Sequence, residues 1–91
     1  MKCSLDREEV FYAHRGRHPM KMHYTIGADA SGKLLAVKSD IDIDGGAYAS
    51  SSTAVCSNAA CFAAGPYEVP NALINSYVVY TDNPPCGAMR G

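Results

Sequence analysis

Two alternating runs, one on each side of a short polar turn, dictate a β-hairpin. From Met20 onward, Met20, Met22, Tyr24, Ile26 and Ala28 fall on one side of an extended chain, with Lys21, His23 and Thr25 on the other. After Asp29-Ala30-Ser31-Gly32 the alternation resumes. Leu35, Val37, Ile41 and Ile43 point one way, while Lys38, Asp40, Asp42 and Asp44 point the other. A four-residue loop over Asp29 to Gly32 sets Ile26 opposite Leu35, Tyr24 opposite Val37 and Met20 opposite Ile41, with Lys21 facing Asp40 on the polar side. A three-residue loop with a glycine bulge would set Ile26 opposite Ala36 and Tyr24 opposite Lys38, mixing the faces. The four-residue loop is therefore expected, with Gly32 in the left-handed region. The two strands are expected at about residues 18–28 and 33–44.

The rest of the chain adds one helix and further extended segments, giving an α+β class. Asp44-Gly45-Gly46 ends the second strand, and the small residues that follow lead to a helix at about residues 52–63. Ser50, Ser51 or Ser52 can serve as its N-cap, and Gly65-Pro66 stops it. Almost no charge lies on this helix, and Val55 and Phe62 are its only bulky groups, so it needs burial on more than one side. Pro70-Asn71 turns the chain into a strand at about residues 72–81, apolar on both faces as in an interior strand. Near the start, the β-branched and aromatic residues between Glu9 and Arg15 suggest a short strand, interrupted by Arg15-Gly16-Arg17.

Composition limits what such a chain can do. With 91 residues, 47% of them hydrophobic and 19% charged, it has the makings of a folded domain or a piece of one. It contains no Trp and only two Phe, so its core is marginal for its size, and a self-sufficient enzyme is not expected. A net charge of −1 excludes a strongly basic nucleic-acid binder of the usual electrostatic kind. No apolar run approaches the roughly 20 residues of a membrane span. Met1-Lys2 is followed by Cys3, Ser4, Leu5 and Asp6 rather than by a signal-peptide core, so a cytoplasmic protein without nucleic-acid or membrane partners is expected.

Several groups invite chemistry and are better read structurally. Cys56 and Cys61 are spaced C-x4-C, unlike zinc or redox pairs, and on a helix they sit roughly 140° apart. With Cys3 and Cys86 they are expected to be reduced structural thiols. His14, His18 and His23 lie among Arg15, Arg17 and Lys21, which disfavours a cation, so exposed or hydrogen-bonded histidines are expected. Asp40, Asp42 and Asp44 alternate with apolar residues along a strand, unlike a calcium loop, and are expected on a solvated face. The tail Asn83-Pro84-Pro85-Cys86-Gly87-Ala88-Met89-Arg90-Gly91 is more informative. Prolines pre-set an extended backbone, glycines let main-chain N–H groups approach an anion, and arginine offers a bidentate fork for phosphate or oxo groups.

The order of the motifs carries a resemblance. Arg17-His18-Pro19, the Gly-turn hairpin, Gly46-x-Tyr48, Gly65-Pro66-Tyr67-x-x-Pro70-Asn71 and Thr81-x-Asn83-x-Pro85-x-Gly87-Ala88-x-Arg90-Gly91 follow one another at compatible spacing. In this the chain resembles the molybdopterin-binding large subunit of the xanthine dehydrogenase / aldehyde oxidase family of molybdenum hydroxylases. The match covers almost all of this chain and a small internal part of the family's much longer subunit. The resemblance implies that residues 1–91 are one fragment of a larger molybdenum-cofactor-binding domain, inactive in isolation. It implies a parent that hydroxylates an N-heterocycle or an aldehyde with water as oxygen source, using a molybdenum–molybdopterin cofactor. Electrons would leave through iron–sulfur clusters to FAD on other domains or subunits.

The same resemblance sets Ala88, Met89, Arg90 and Gly91 beside the cofactor, with Arg90 on the metal side. Met89 departs from the aromatic common at its position. Purine-acting members carry a substrate-orienting arginine that falls here on neutral Asn58, which puts xanthine in doubt and leaves another heterocycle or an aldehyde. The family's substrate-stacking phenylalanine, catalytic glutamate and molybdenum-proximal glutamine fall outside these residues. The expected partners are the remainder of the large subunit and the iron–sulfur and FAD domains. A different reading is a small non-catalytic module that pairs strands, with residues 72–81 offering a sheet edge for a homodimer.

Overall fold

The computed structural model describes residues 1–89, which form, in order, α1 (Arg7–Ala13), β1 (Met20–Ala28), β2 (Leu34–Gly46), α2 (Ser52–Phe62) and β3 (Ala72–Tyr80). The strands make one mixed sheet in the order β1-β2-β3. β1 runs antiparallel to β2, and β3 runs parallel to it after the crossover through α2. The hairpin, the helix and the last strand stand where the sequence places them, within two residues at each end.

The hairpin keeps the expected faces but not the expected register. Ile26 pairs with Val37, Tyr24 with Ser39 and Met20 with Ile43, two residues away from the pairing inferred above, and Lys21 faces Asp42 instead of Asp40. Two single-residue irregularities add up to this shift. The Asp29 carboxylate accepts the Ser31 and Lys33 N–H groups at 2.8 and 3.0 Å, which draws Lys33 into a five-residue loop. Leu35 is then an extra residue between the pairs Ala28–Leu34 and Gly27–Ala36, a β-bulge. A slip of two residues restores side-chain parity, which is why the apolar faces survive it. Gly32 is in the left-handed region, as expected, with φ +86°.

Most of the segment expected as a strand at Glu9–Arg15 is instead helical: α1 runs through Ala13, and His14 caps it in an extended conformation. Asp6 accepts the Glu8 and Glu9 N–H groups, each at 2.9 Å, and Glu9 in turn accepts the Asp6 N–H at 2.9 Å. This reciprocal capping box starts a helix and outweighs the modest strand preference of Val10, Phe11 and Tyr12. α1 packs against none of the other elements. The chain is accordingly elongated, with a radius of gyration of 16.9 Å against about 12 Å for a compact domain of this length.

The core is confined to one face of β2. Val37, Ile41 and Ile43 are buried there, with Ile43 fully so, and α2 covers them together with β3. On β1, Met20, Met22 and Ile26, which pair with Ile43, Ile41 and Val37, share the same face and remain exposed. So does Tyr24, opposite Ser39; the Tyr24 hydroxyl donates to Ala63 O at the end of α2 at 3.2 Å. β3 also departs from the expected interior strand. It is an edge of the sheet among the described residues, and Leu73, Tyr77 and Val79 are exposed on the face away from α2. α2 turns Cys56 toward β3, where its thiol meets the Ser76 hydroxyl at 3.3 Å, while Cys61 points to solvent as the helical angle requires.

Candidate functional site

The end of β2 is built to receive the tail. Asp44 is the centre of this junction. Its carboxylate accepts the Thr81 hydroxyl at 2.6 Å, the Gly46 N–H at 2.9 Å and the Asn83 side-chain amide. The Thr81 hydroxyl first, then the Gly46 N–H and the Asn83 amide, hold the Asp44 carboxyl below its ordinary value of 3.8. Backbone bonds complete the seam: Thr81 N–H to Gly46 O, Ala47 N–H to Asn83 O and Cys86 N–H to Gly45 O, at 3.0–3.2 Å. Cys86 is buried at this crossing, and burial, with the nearby Asp44 charge, pushes its thiol pKa up.

Beyond the seam, the Gly87 N–H donates to Gly16 O at 2.9 Å and the Ala88 N–H donates to Ser51 Oγ at 2.8 Å. Gly87 passes so close to Arg15 that an added Cβ would lie 3.3 Å from the arginine Cδ. The loop before β1 is fastened to α2 as well, since His18 Nε2 lies 2.7 Å from Ser52 Oγ and both side chains are buried. Between these two fastened segments lies a groove of about 420 Å³. Gly87, Ala88 and Met89 form one part of its wall, Arg17, His18 and Met20 another, and Val55 reaches it from α2. Arg17-His18-Pro19 and the tail, far apart in sequence, thus become neighbours.

The expected site residues divide accordingly. Ala88 and Met89 line the groove. Arg90 and Gly91, including the arginine assigned to the metal side, lie outside the described residues. Asn58 is exposed on α2, one turn beyond Val55. On an ideal helix Ser51, Val55, Asn58 and Phe62 fall within an arc of roughly 60°, so Asn58 shares the stripe that reaches the groove. The main-chain N–H groups of Gly87 and Ala88 do not serve an anion as the tail's composition suggests, because both are spent on Gly16 and Ser51.

Two contributors escape sequence reasoning. Asp44, expected on a solvated acidic row, is half-buried and triply bonded; Asp40 is half-buried too and bonds Asn75, and only Asp42 is exposed. The signal is present in Thr81-x-Asn83, two short polar donors placed just after a strand parallel to the one that ends at Asp44-Gly45-Gly46. Ser51 carries no sequence signal beyond its place near a helix start. Of the histidines, His18 is the hydrogen-bonded one, and His14 and His23 are exposed.

The pH dependence of this junction has a defined sign. Because the folded-state pKa of Asp44 is depressed, its contribution is fully present above the ordinary carboxylate value of 3.8 and is lost as pH falls through the lower folded value. Acid titration followed by amide exchange is therefore expected to loosen Thr81–Met89 below about pH 4. Asp44→Asn should remove that acid-dependent step.

A groove with apolar walls at Met20 and Val55, a glycine backbone at Gly87 and the cationic Arg17 in its lining suits a broad ligand with an anionic end. The residues present therefore fit a pterin cofactor carrying a phosphate. Among the described residues no three His, Cys, Asp or Glu side chains gather as a metal site. Fold and groove together define a small sheet-and-helix segment with an open groove between the loop before β1 and the tail. The chain belongs to the molybdopterin cofactor-binding domain family, whose family model matches residues 1–91. Across all 91 residues it is 44% identical to the nicotinate dehydrogenase large molybdopterin subunit of Eubacterium barkeri. It is 41% identical over the same span to a probable xanthine dehydrogenase subunit of Bacillus subtilis (strain 168). The chain spans 21% of the length of the first relative and 12% of the second.

Proposed function

We propose that this chain forms one wall of the molybdenum-cofactor site in the large subunit of a molybdenum hydroxylase. The groove between Arg17-His18 and Gly87–Met89 carries the reading, because it sets the segment that leads into Arg90-Gly91 against a cationic and apolar surface. When bound, the molybdenum–molybdopterin group supplies a two-electron oxidation in which water is the oxygen source. The chain's own residues hold and orient it. Arg17 supplies positive charge toward an anionic phosphate, Ala88 and Met89 line the cofactor's edge, and Met20 and Val55 keep water from its face. Arg90, assigned to the metal side, and Gly91, assigned to the same edge, follow directly in sequence and lie outside the described residues. Asn58, on the same helical stripe as Val55, is substrate-proximal in this reading, and its neutral side chain suits another N-heterocycle or an aldehyde better than xanthine.

The chain acts as a fragment of a cytoplasmic enzyme in this reading, with the rest of the large subunit supplying the remaining walls and iron–sulfur and FAD domains taking the electrons. The exposed Met22, Tyr24 and Ile26 beside α2 support it, since an apolar stripe next to a cofactor groove calls for cover. No helix among the described residues is long and apolar enough to cross a membrane. A second reading, a strand-pairing homodimer without catalysis, draws support from the open edge of β3 and its exposed Leu73, Tyr77 and Val79.

A chimera separates the two. This chain is placed in the Eubacterium barkeri large molybdopterin subunit in exchange for the 91 residues it matches. The chimera is expected to retain molybdenum and hydroxylate an N-heterocycle, while the 91-residue chain alone shows no turnover. A chimera devoid of molybdenum, together with a sedimenting dimer of the isolated chain, would favour the strand-pairing reading instead.

A further inference from the structure

We infer that Ser51 is a positioning residue for the cofactor-side segment Cys86–Met89, an inference that rests on the cofactor-site reading above. Ser51 occupies the N-cap of α2, where a serine hydroxyl ordinarily accepts an N–H group from the first turn of its own helix. Here it makes no such bond. Its Oγ accepts the Ala88 N–H at 2.8 Å instead. The backbone is arranged for this: Ser50 sits at φ +43°, a left-handed conformation that a non-glycine residue adopts only under constraint, and Ser51 follows at φ −94° and ψ 11°, outside the usual extended cap geometry.

The next residue is diverted in the same way. Ser52 Oγ meets His18 Nε2 at 2.7 Å. Two consecutive hydroxyls at the start of α2 therefore hold the two segments that flank the groove, Ser51 the tail and Ser52 the loop containing Arg17 and His18. The start of α2 thus sets the separation between these walls. The two hydroxyls differ in what they can reveal. Ser52 is buried against a buried histidine, so its removal disturbs folding. Ser51 is half-buried, bonds an exposed amide and contributes no cap to its helix, so its removal leaves the fold standing and acts on the position of Ala88 alone.

The test uses Ser51→Ala and Ser51→Thr, each in the 91-residue chain and in the chimera. In the chain, Ser51→Ala is expected to speed amide exchange at Ala88 by about tenfold while β2 and β3 exchange and the thermal midpoint stay unchanged. In the chimera it is expected to raise the rate at which molybdenum and pterin are lost on gel filtration severalfold, with Ser51→Thr restoring retention. Unchanged Ala88 exchange would overturn the inference, as would a fall in the thermal midpoint with uniform loss of protection, which marks a plain structural role. Faster Ala88 exchange with unaltered cofactor retention overturns the positioning role while leaving the site reading intact. An unsubstituted chimera that holds no molybdenum overturns the site reading, and the cofactor role of Ser51 with it.

Discussion

Gly46→Ala is expected to destabilise the chain by about 2–5 kcal/mol and to detach the tail from the end of β2. Two effects add. Gly46 sits at φ +74°, which disfavours any side chain by about 1–2 kcal/mol. A Cβ there would also run into the Pro84 carbonyl oxygen and lie 2.9 Å from the Pro84 carbonyl carbon and the Pro85 Cα. Backbone atoms of two consecutive prolines have little freedom to yield, so the tail must move away, at about 1–3 kcal/mol of overpacking. Gly32→Ala isolates the first effect, because Gly32 also has a positive φ, +86°, but open space around its Cβ position. Urea unfolding of both variants checks the claim: Gly46→Ala should lose clearly more than Gly32→Ala, and equal losses would show that the Pro84 contact does not matter. In the chimera, Gly46→Ala should also shed molybdenum, because Gly87–Met89 lose their seat.

These junctions explain which parts of the molecule can be read from its residues. Parity along β1 and β2 is written in the alternation of Met20 to Ala28 and Leu35 to Ile43, so the faces are legible. The pairing is not, because it depends on side-chain bonds from Asp29 that lengthen the loop and on a bulge at Leu35. The short α1 is legible in principle through Asp6-x-x-Glu9, a stronger signal than the aromatic content that suggests a strand. The site is legible only as a row of motifs. That Arg17-His18 and Gly87–Met89 face one groove depends on Ser51 and Ser52, whose small polar side chains look alike in sequence and differ only in what lies across from them. β3 resembles an interior strand because both of its faces are apolar, a pattern consistent with cover from beyond this chain.

Ile43→Ala is the second substitution with a large expected effect, about 2–5 kcal/mol. Ile43 is fully buried at the centre of the sheet, paired with Met20 on β1 and Val78 on β3. Among the described residues, it supplies with Val37 and Ile41 nearly all the large buried apolar side chains, so the cavity left by alanine has few neighbours able to close it. Ile26→Ala removes the same atoms from a side chain that is 59% exposed, and is expected to change stability by less than about 1 kcal/mol. The contrast is read from urea midpoints and far-UV circular dichroism; comparable losses at the two positions would mean that β1 is covered and the core is not confined to β2. The loss at Ile43 also reaches the site through the next residue. Asp44 donates its N–H to Pro19 O at 2.9 Å and gathers Thr81 and Asn83 with its carboxylate, so its place on β2 fixes both the loop carrying Arg17-His18 and the tail. A cavity beneath Asp44 should therefore raise amide exchange at Gly87 and Ala88 before global unfolding, whereas Ile26→Ala should leave both amides as they are.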